Sequence, residues 1–179
     1  RSLEPEIARI CDAARQSGRS TEKPYTVALE FGCALREGES LNSDRVMARV
    51  GPSIMPGLHA QWEAAFGLGA NLGMRPDPEM TDAFNTYIQE YAESTGTVSD
   101  RLYLDAHRGH MVFLKPDEAQ FVTQEAIGRT LTGTGPEIID KLESMEANGV
   151  DSVAISVTDP QGARDLIEDF GREVIAKRG

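Results

Sequence analysis

The densest run of chemically versatile side chains is Asp105-Ala106-His107-Arg108-Gly109-His110, which holds two of the chain's three histidines beside a carboxylate and a guanidinium. Histidine changes charge near neutral pH, so such a group can move a proton, pair with an anion or ligate a metal. A metal site needs a third ligand and an open position, and His59 or Asp105 could supply the third ligand. His107 and His110 stand three apart across a glycine, a spacing that fixes no ligand geometry. The sequence therefore assigns no metal and points to substrate contact or to bracing of the loop.

Three other positions bear on chemistry. Gly133-Thr134-Gly135-Pro136 joins a predicted strand to a helix start, where free backbone N–H groups can hold an anion or a phosphate. The same letters also read as an ordinary start, with Thr134 as cap and Pro136 in the first turn. Glu30 lies on the even face of a predicted strand among Ala28, Gly32 and Ala34. It points either into a barrel or beneath a helix, and a partner Lys or Arg is the simpler reading. No nucleophile elbow or P-loop is present, and the glycines of residues 67–73 lack the preceding strand that a dinucleotide fingerprint requires.

Composition restricts the partners. Eighteen Lys and Arg against 29 Asp and Glu leave a formal charge of −11, which disfavours nucleic acid and anionic membrane surfaces. No apolar stretch approaches the ~18 residues that cross a bilayer. Cys11 and Cys33 have neither metal-finger spacing nor a disulfide framework, so a reducing cytoplasm is expected. Arg1 opens directly into helical sequence without a signal peptide, and the expectation is that the natural start lies upstream or was removed.

The elements that must position these residues follow from periodicity. Pro5 opens an amphipathic helix carrying Ile7, Ile10, Cys11 and Ala14, and Gly18 ends it. From residue 25 to 35 the odd positions Tyr25, Val27, Leu29, Phe31, Cys33 and Leu35 are all apolar, which predicts a strand with that face buried. Ser43 or Asp44 caps a short helix to Val50. Beyond it Ile54, Met55, Leu58, Trp62, Ala65 and Phe66 recur at helical spacing, with Pro52 and Pro56 expected to break or kink the element. Residues 67–77 read as a mobile loop. A helix over 78–94 carries Met80, Phe84, Tyr87, Ile88 and Tyr91 on one face, and Ser99 caps a short helix to about His107. Met111 to Leu114 form an apolar run, and residues 116–118 and 123–129 are short helical turns. The last third alternates strand 131–132, a helix opened by Pro136 and closed by Gly149, strand 153–157, and a final helix opened by Asp159 and Pro160. That order is the βαβ grammar of a parallel sheet with helical cover.

The runs RLYLDAHRGHMVFLKPDE and LTGTGPEIIDKLESMEANGVDSVAISVTDP, with the closing amphipathic helix, resemble the C-terminal part of the bacterial luciferase-like flavin-dependent oxidoreductases. The opening PEIARICDAARQSGRSTEKPYTVAL is similar to the family more loosely, and residues 61–97 match poorly. The resemblance implies an α/β fold. It would be a partial (βα)8 TIM barrel, with the three strands as the sixth to eighth βα units and a helical insertion over about 43–130 within the segment 1–179. A closed barrel typically takes ~250 residues, so strands one to five would come from a missing N-terminal half or a second copy of the chain. FMN or a deazaflavin coenzyme is expected only in the complete barrel. The C-terminal part would then line the substrate side for a small molecule, with His107, Arg108, His110 and Arg129 as substrate contacts and Thr134 near the mouth. No catalytic or cofactor-binding residue is carried over. The alternative is a non-catalytic oligomerisation or interaction module on the same half-barrel.

Overall fold

The computed structural model describes residues 4–19, 22–65, 78–96, 101–157 and 160–178. Arg1, Ser99, Asp159 and the expected mobile loop 67–77 lie outside them. In chain order come helix α1 (Glu4–Gln16), strands β1 (Val27–Glu30) and β2 (Gly32–Ala34), then helices α2 (Asp44–Ala65), α3 (Pro78–Thr95) and α4 (Leu102–Ala106). A 3-10 helix (Pro116–Phe121) and α5 (Gln124–Gly128) follow, then β3 (Leu131–Gly133), α6 (Gly135–Ala147), β4 (Ser152–Ile155) and α7 (Pro160–Phe170). A π-helical turn (Gly171–Ile175) and α8 (Ala176–Arg178) close the chain. The fold class is α/β. No described helix is long and apolar enough to cross a membrane. Two compact units result, residues 1–38 with 130–179, and residues 39–129.

In the first unit every strand pairing is parallel. β1 lies against β4 in the register Val27 to Ser152 through Glu30 to Ile155, and β2 lies against β3 from Gly32 with Leu131 to Ala34 with Gly133. The two pairs share one extended segment. The Glu30 carbonyl accepts from Ser156 N–H at 2.8 Å, whereas the next carbonyl, Phe31, accepts from Leu131 N–H at 2.9 Å. Successive carbonyls of an extended chain point to opposite edges, so β3 and β4 flank the segment on either side. This corrects the expected succession of three neighbouring strands, because a barrel in chain order would place the last strand beside β3.

Close approach and one ionic clamp set these registers. A Cβ on Gly32 would stand 2.5 Å from the Leu131 carbonyl oxygen, and one on Gly135 would stand 2.2 Å from that of Glu173. Only glycine admits either contact. At the start of β4, Asp151 accepts from the Thr26 N–H at 2.7 Å and pairs with Lys23. The core beneath the strands is Ala34, Leu131, Ile138, Phe170 and Val174, with Ile139, Leu142, Val153, Ile155 and Leu166 packed around it.

The opposite face differs from expectation. Tyr25, Val27 and Leu29 are 73%, 53% and 68% exposed. The expected burial holds at Cys33, which is 2% exposed, and Phe31 and Leu35 are half-buried, so the odd face is bare only along the first half of the segment. Glu30 is half-buried near Lys141 of α6; burial raises its pKa and the lysine charge lowers it, leaving it above the ordinary carboxylate value.

Helix α6 begins as its letters predict. Glu137 Oε2 accepts from Thr134 N–H at 2.7 Å and from the Thr134 hydroxyl at 2.8 Å, a bond across the first turn of the capping-box kind. These bonds, the backbone one first, hold the Glu137 pKa below its ordinary value. A carboxylate with a depressed folded pKa stabilises the fold above its unfolded pKa, and the contribution vanishes as pH falls through the folded value. Glu137→Gln should cost about 1 kcal/mol near neutrality, and in urea titrations the gap from the parent should close in acid. Ile138→Ala should cost about 2–5 kcal/mol by the same measurement at every pH.

Candidate functional site

The unit of residues 39–129 gathers all three histidines of the chain. Helix α2 carries His59 four residues after Met55 and three before Trp62, and all three are buried. The helix runs through Pro52 and Pro56 without a break, so of the expected break or kink the break does not occur. Each proline removes one intrahelical bond at a cost of ~3 kcal/mol. Burial of Val46, Val50, Met55 and Trp62 along the helix outweighs that loss. The Ser53 hydroxyl also donates to the Val50 carbonyl at 2.6 Å.

Helix α3 supplies the aromatic wall. Phe84 packs against the His59 ring at 5.5 Å and edge-on against Phe121 at 5.3 Å. Phe121 ends the 3-10 helix opened by Pro116, so this wedge anchors the element carrying Glu118. Glu118 is 2% exposed and His59 1%. His59 Nε2 lies 3.0 Å from Glu118 Oε1, and Lys115 Nζ lies 2.8 Å from the same oxygen. Lys115 Nζ also donates to the Ala106 carbonyl at 3.0 Å.

Burial pushes the Glu118 carboxyl up, but bonds from His59 and Lys115, helped by the Lys115 charge, outweigh it and hold it below the ordinary carboxylate value. Burial also lowers the His59 pKa and prevails over the opposing bond and charge of Glu118. The arrangement is therefore an ionised carboxylate, a buried ammonium and a neutral imidazole. Neutral His59 donates Nε2–H to the carboxylate, and its Nδ1 has no hydrogen-bond partner among the described residues.

His107 and His110 reach His59 from a turn after α4. His110 N–H donates to the His107 carbonyl at 2.8 Å, and the two Nδ1 atoms lie 2.9 Å apart. Gly109 adopts φ +86°, and a Cβ there would stand 2.7 Å from the Phe113 ring. The turn requires glycine at this position. The His107 and His59 rings meet edge to face at 4.8 Å, and one ring nitrogen from each of the three histidines lies within 4.8 Å of the others. His59, not Asp105, is the third member.

The other residues named from sequence are placed differently. Arg108 is exposed beside the histidines. Arg129 caps α5 and pairs with Glu125 at 2.5 Å. Thr134 belongs to the first unit, where Glu137 occupies it. A flavin phosphate does not fit that turn, since Glu137 already accepts the N–H and sets a negative charge there. Lys115 and Glu118 were not anticipated. The signals available were the three-residue spacing around Pro116 and the position of His59 on the Met55–Trp62 stripe.

Comparison with family models, curated proteins and solved structures finds no match to this chain.

A buried ion network fails when one partner is removed. Glu118→Ala should cost about 3–5 kcal/mol in urea unfolding, because the Lys115 ammonium keeps its burial and loses its carboxylate. Depression of the His59 pKa means that its neutral form stabilises the fold above the unfolded value of 6.5 and that this is lost as pH falls through the folded value. With chelator present, the urea midpoint should drop between about pH 7.5 and about pH 5.5. The drop should be smaller in His59→Gln.

Proposed function

We propose that the chain is the C-terminal segment of a luciferase-like flavin- or deazaflavin-dependent oxidoreductase, a monooxygenase or reductase. Residues 1–38 and 130–179 would supply strands and helices of a partial (βα)8 barrel, and residues 39–129 the insertion beside a small-molecule substrate. The observation that carries the reading is an all-parallel sheet left bare on the face of Tyr25, Val27 and Leu29. Parallel sheets occur almost only with both faces covered.

In a completed barrel the edge of β1 now held by β4 would pass to an earlier strand, and β4 would move beside β3. The coenzyme would supply hydride transfer or oxygen activation. The Gly133–Gly135 turn does not provide its phosphate site, so this segment contributes substrate-side wall, with His107, Arg108 and His110 as contacts, and is inactive alone. The bare face also favours a second reading, a non-catalytic module that pairs with a copy of itself through the same surface.

Two measurements separate these readings. Reduced FMN or the reduced deazaflavin, followed by absorbance, should show no stoichiometric binding to the isolated chain, and tight one-to-one binding would overturn the split-site proposal. Leu29→Lys should leave the stability of the isolated chain within about 0.5 kcal/mol while blocking whatever association light scattering detects. A stable dimer that ignores both coenzymes would favour the second reading.

A further inference from the structure

Only three histidines occur in 179 residues, and the fold brings all three together from positions 59, 107 and 110. We infer that His59, His107 and His110 bind one divalent metal ion of the zinc type, with Glu118 as the group that orients His59. The inference does not rest on the oxidoreductase reading, and where that reading holds the bound ion, in place of the His107 and His110 imidazoles, would face the substrate.

Three observations carry it. First, the His59 ring is set as a ligand ring should be. Metal-bound histidines almost always donate their other N–H to a carboxylate or carbonyl, which fixes the tautomer and raises basicity. Here Nε2 lies 3.0 Å from Glu118 Oε1, and Lys115 holds that carboxylate from the side at 2.8 Å. Second, this tautomer leaves a lone pair on Nδ1, which is buried and has no hydrogen-bond partner among the described residues. An unsatisfied buried acceptor costs about 1–3 kcal/mol, and a cation would remove the cost.

Third, the distances are within reach of coordination. Bonds of about 2.0–2.1 Å to a tetrahedral ion place nitrogens about 3.3 Å apart. The His107 and His110 Nδ1 atoms, at 2.9 Å, need to open by a few tenths of an ångström. The widest separation in the cluster, up to 4.8 Å, needs to close by about 1.5 Å. The Gly109 turn holds two of the ligands, so binding would require their rings and that of His59 to shift together.

The ligand set selects the metal. Three neutral imidazoles suit zinc, cobalt, nickel or copper and not magnesium or calcium, which take oxygen ligands. His59 is buried, His107 half-buried and His110 exposed, so an ion would enter from the His110 side. Its fourth position would face solvent there, the open arrangement of sites that bind water or substrate.

The test uses tag-free protein dialysed against chelator and then titrated with cobalt(II) as the probe for zinc. The expected result is one equivalent bound with the intense visible bands of a four-coordinate ion, displaced by zinc. His110→Ala removes an exposed ligand and should leave the fold intact while abolishing the bands. Glu118→Gln should keep the bands and weaken binding about 10–100-fold. Zinc should also raise the thermal midpoint of the parent and not that of His110→Ala. Substoichiometric uptake, or binding unchanged in His110→Ala, would overturn the assignment.

Discussion

A carboxylate removed from water must be bonded by donors that stay in place, and Glu118 is the residue on which this requirement falls hardest. Its two donors come from different stretches of chain, His59 on α2 and Lys115 ahead of the 3-10 helix. Lys115 in turn reaches the Ala106 carbonyl at the end of α4. One buried charge pair thus ties three elements of residues 39–129 together and sets the orientation of the His59 ring. Phe84 packs against the His59 ring and Phe121 against Phe84, and the burial of His59, Lys115 and Glu118 keeps water from competing for their bonds.

The unit formed by residues 1–38 and 130–179 is held by a different constraint. One extended segment serves two parallel neighbours, and parallel strands need long connections that return the chain to the same end of the sheet. Residues 39–129 provide one such connection and α6 provides the other. Backbone contact enforces the arrangement where side chains cannot: Gly32 against the Leu131 carbonyl, and Gly135 against that of Glu173. Asp169 is buried between Arg36 and Arg172 and fastens the end of β2 to the end of α7. Among the described residues, Tyr25, Val27 and Leu29 stay exposed, and that exposure is the physical basis for proposing further elements around them.

Much of the local structure was legible because local rules produce it. Pro136, Thr134 and Glu137 mark the start of α6 through hydrogen bonds made within one turn, and Thr123 caps α5 by the same means, accepting from the Ala126 N–H at 3.1 Å. The stripe Phe84, Tyr87 and Ile88 is buried as its spacing predicts. The reading failed where a local signal was outweighed or left a choice open. Pro52 and Pro56 are breakers by local energetics, yet packing along α2 exceeds the bonds they remove. The odd face of residues 25–35 is apolar throughout, yet it is buried at Cys33 and exposed at Tyr25, Val27 and Leu29, and no periodicity states where along a strand its cover ends.

The sequence by itself determined the α/β class and the starts of helices such as α2 and α6, because these follow from residues only a few positions apart. Only the tertiary structure decided that His59 joins His107 and His110, that Glu118 and Lys115 brace it, and that β3 and β4 take opposite edges of one segment. Those outcomes depend on contacts between residues tens to more than a hundred positions apart. Such contacts are selected by packing and by the need to bond buried polar groups, and no short window of sequence carries that information.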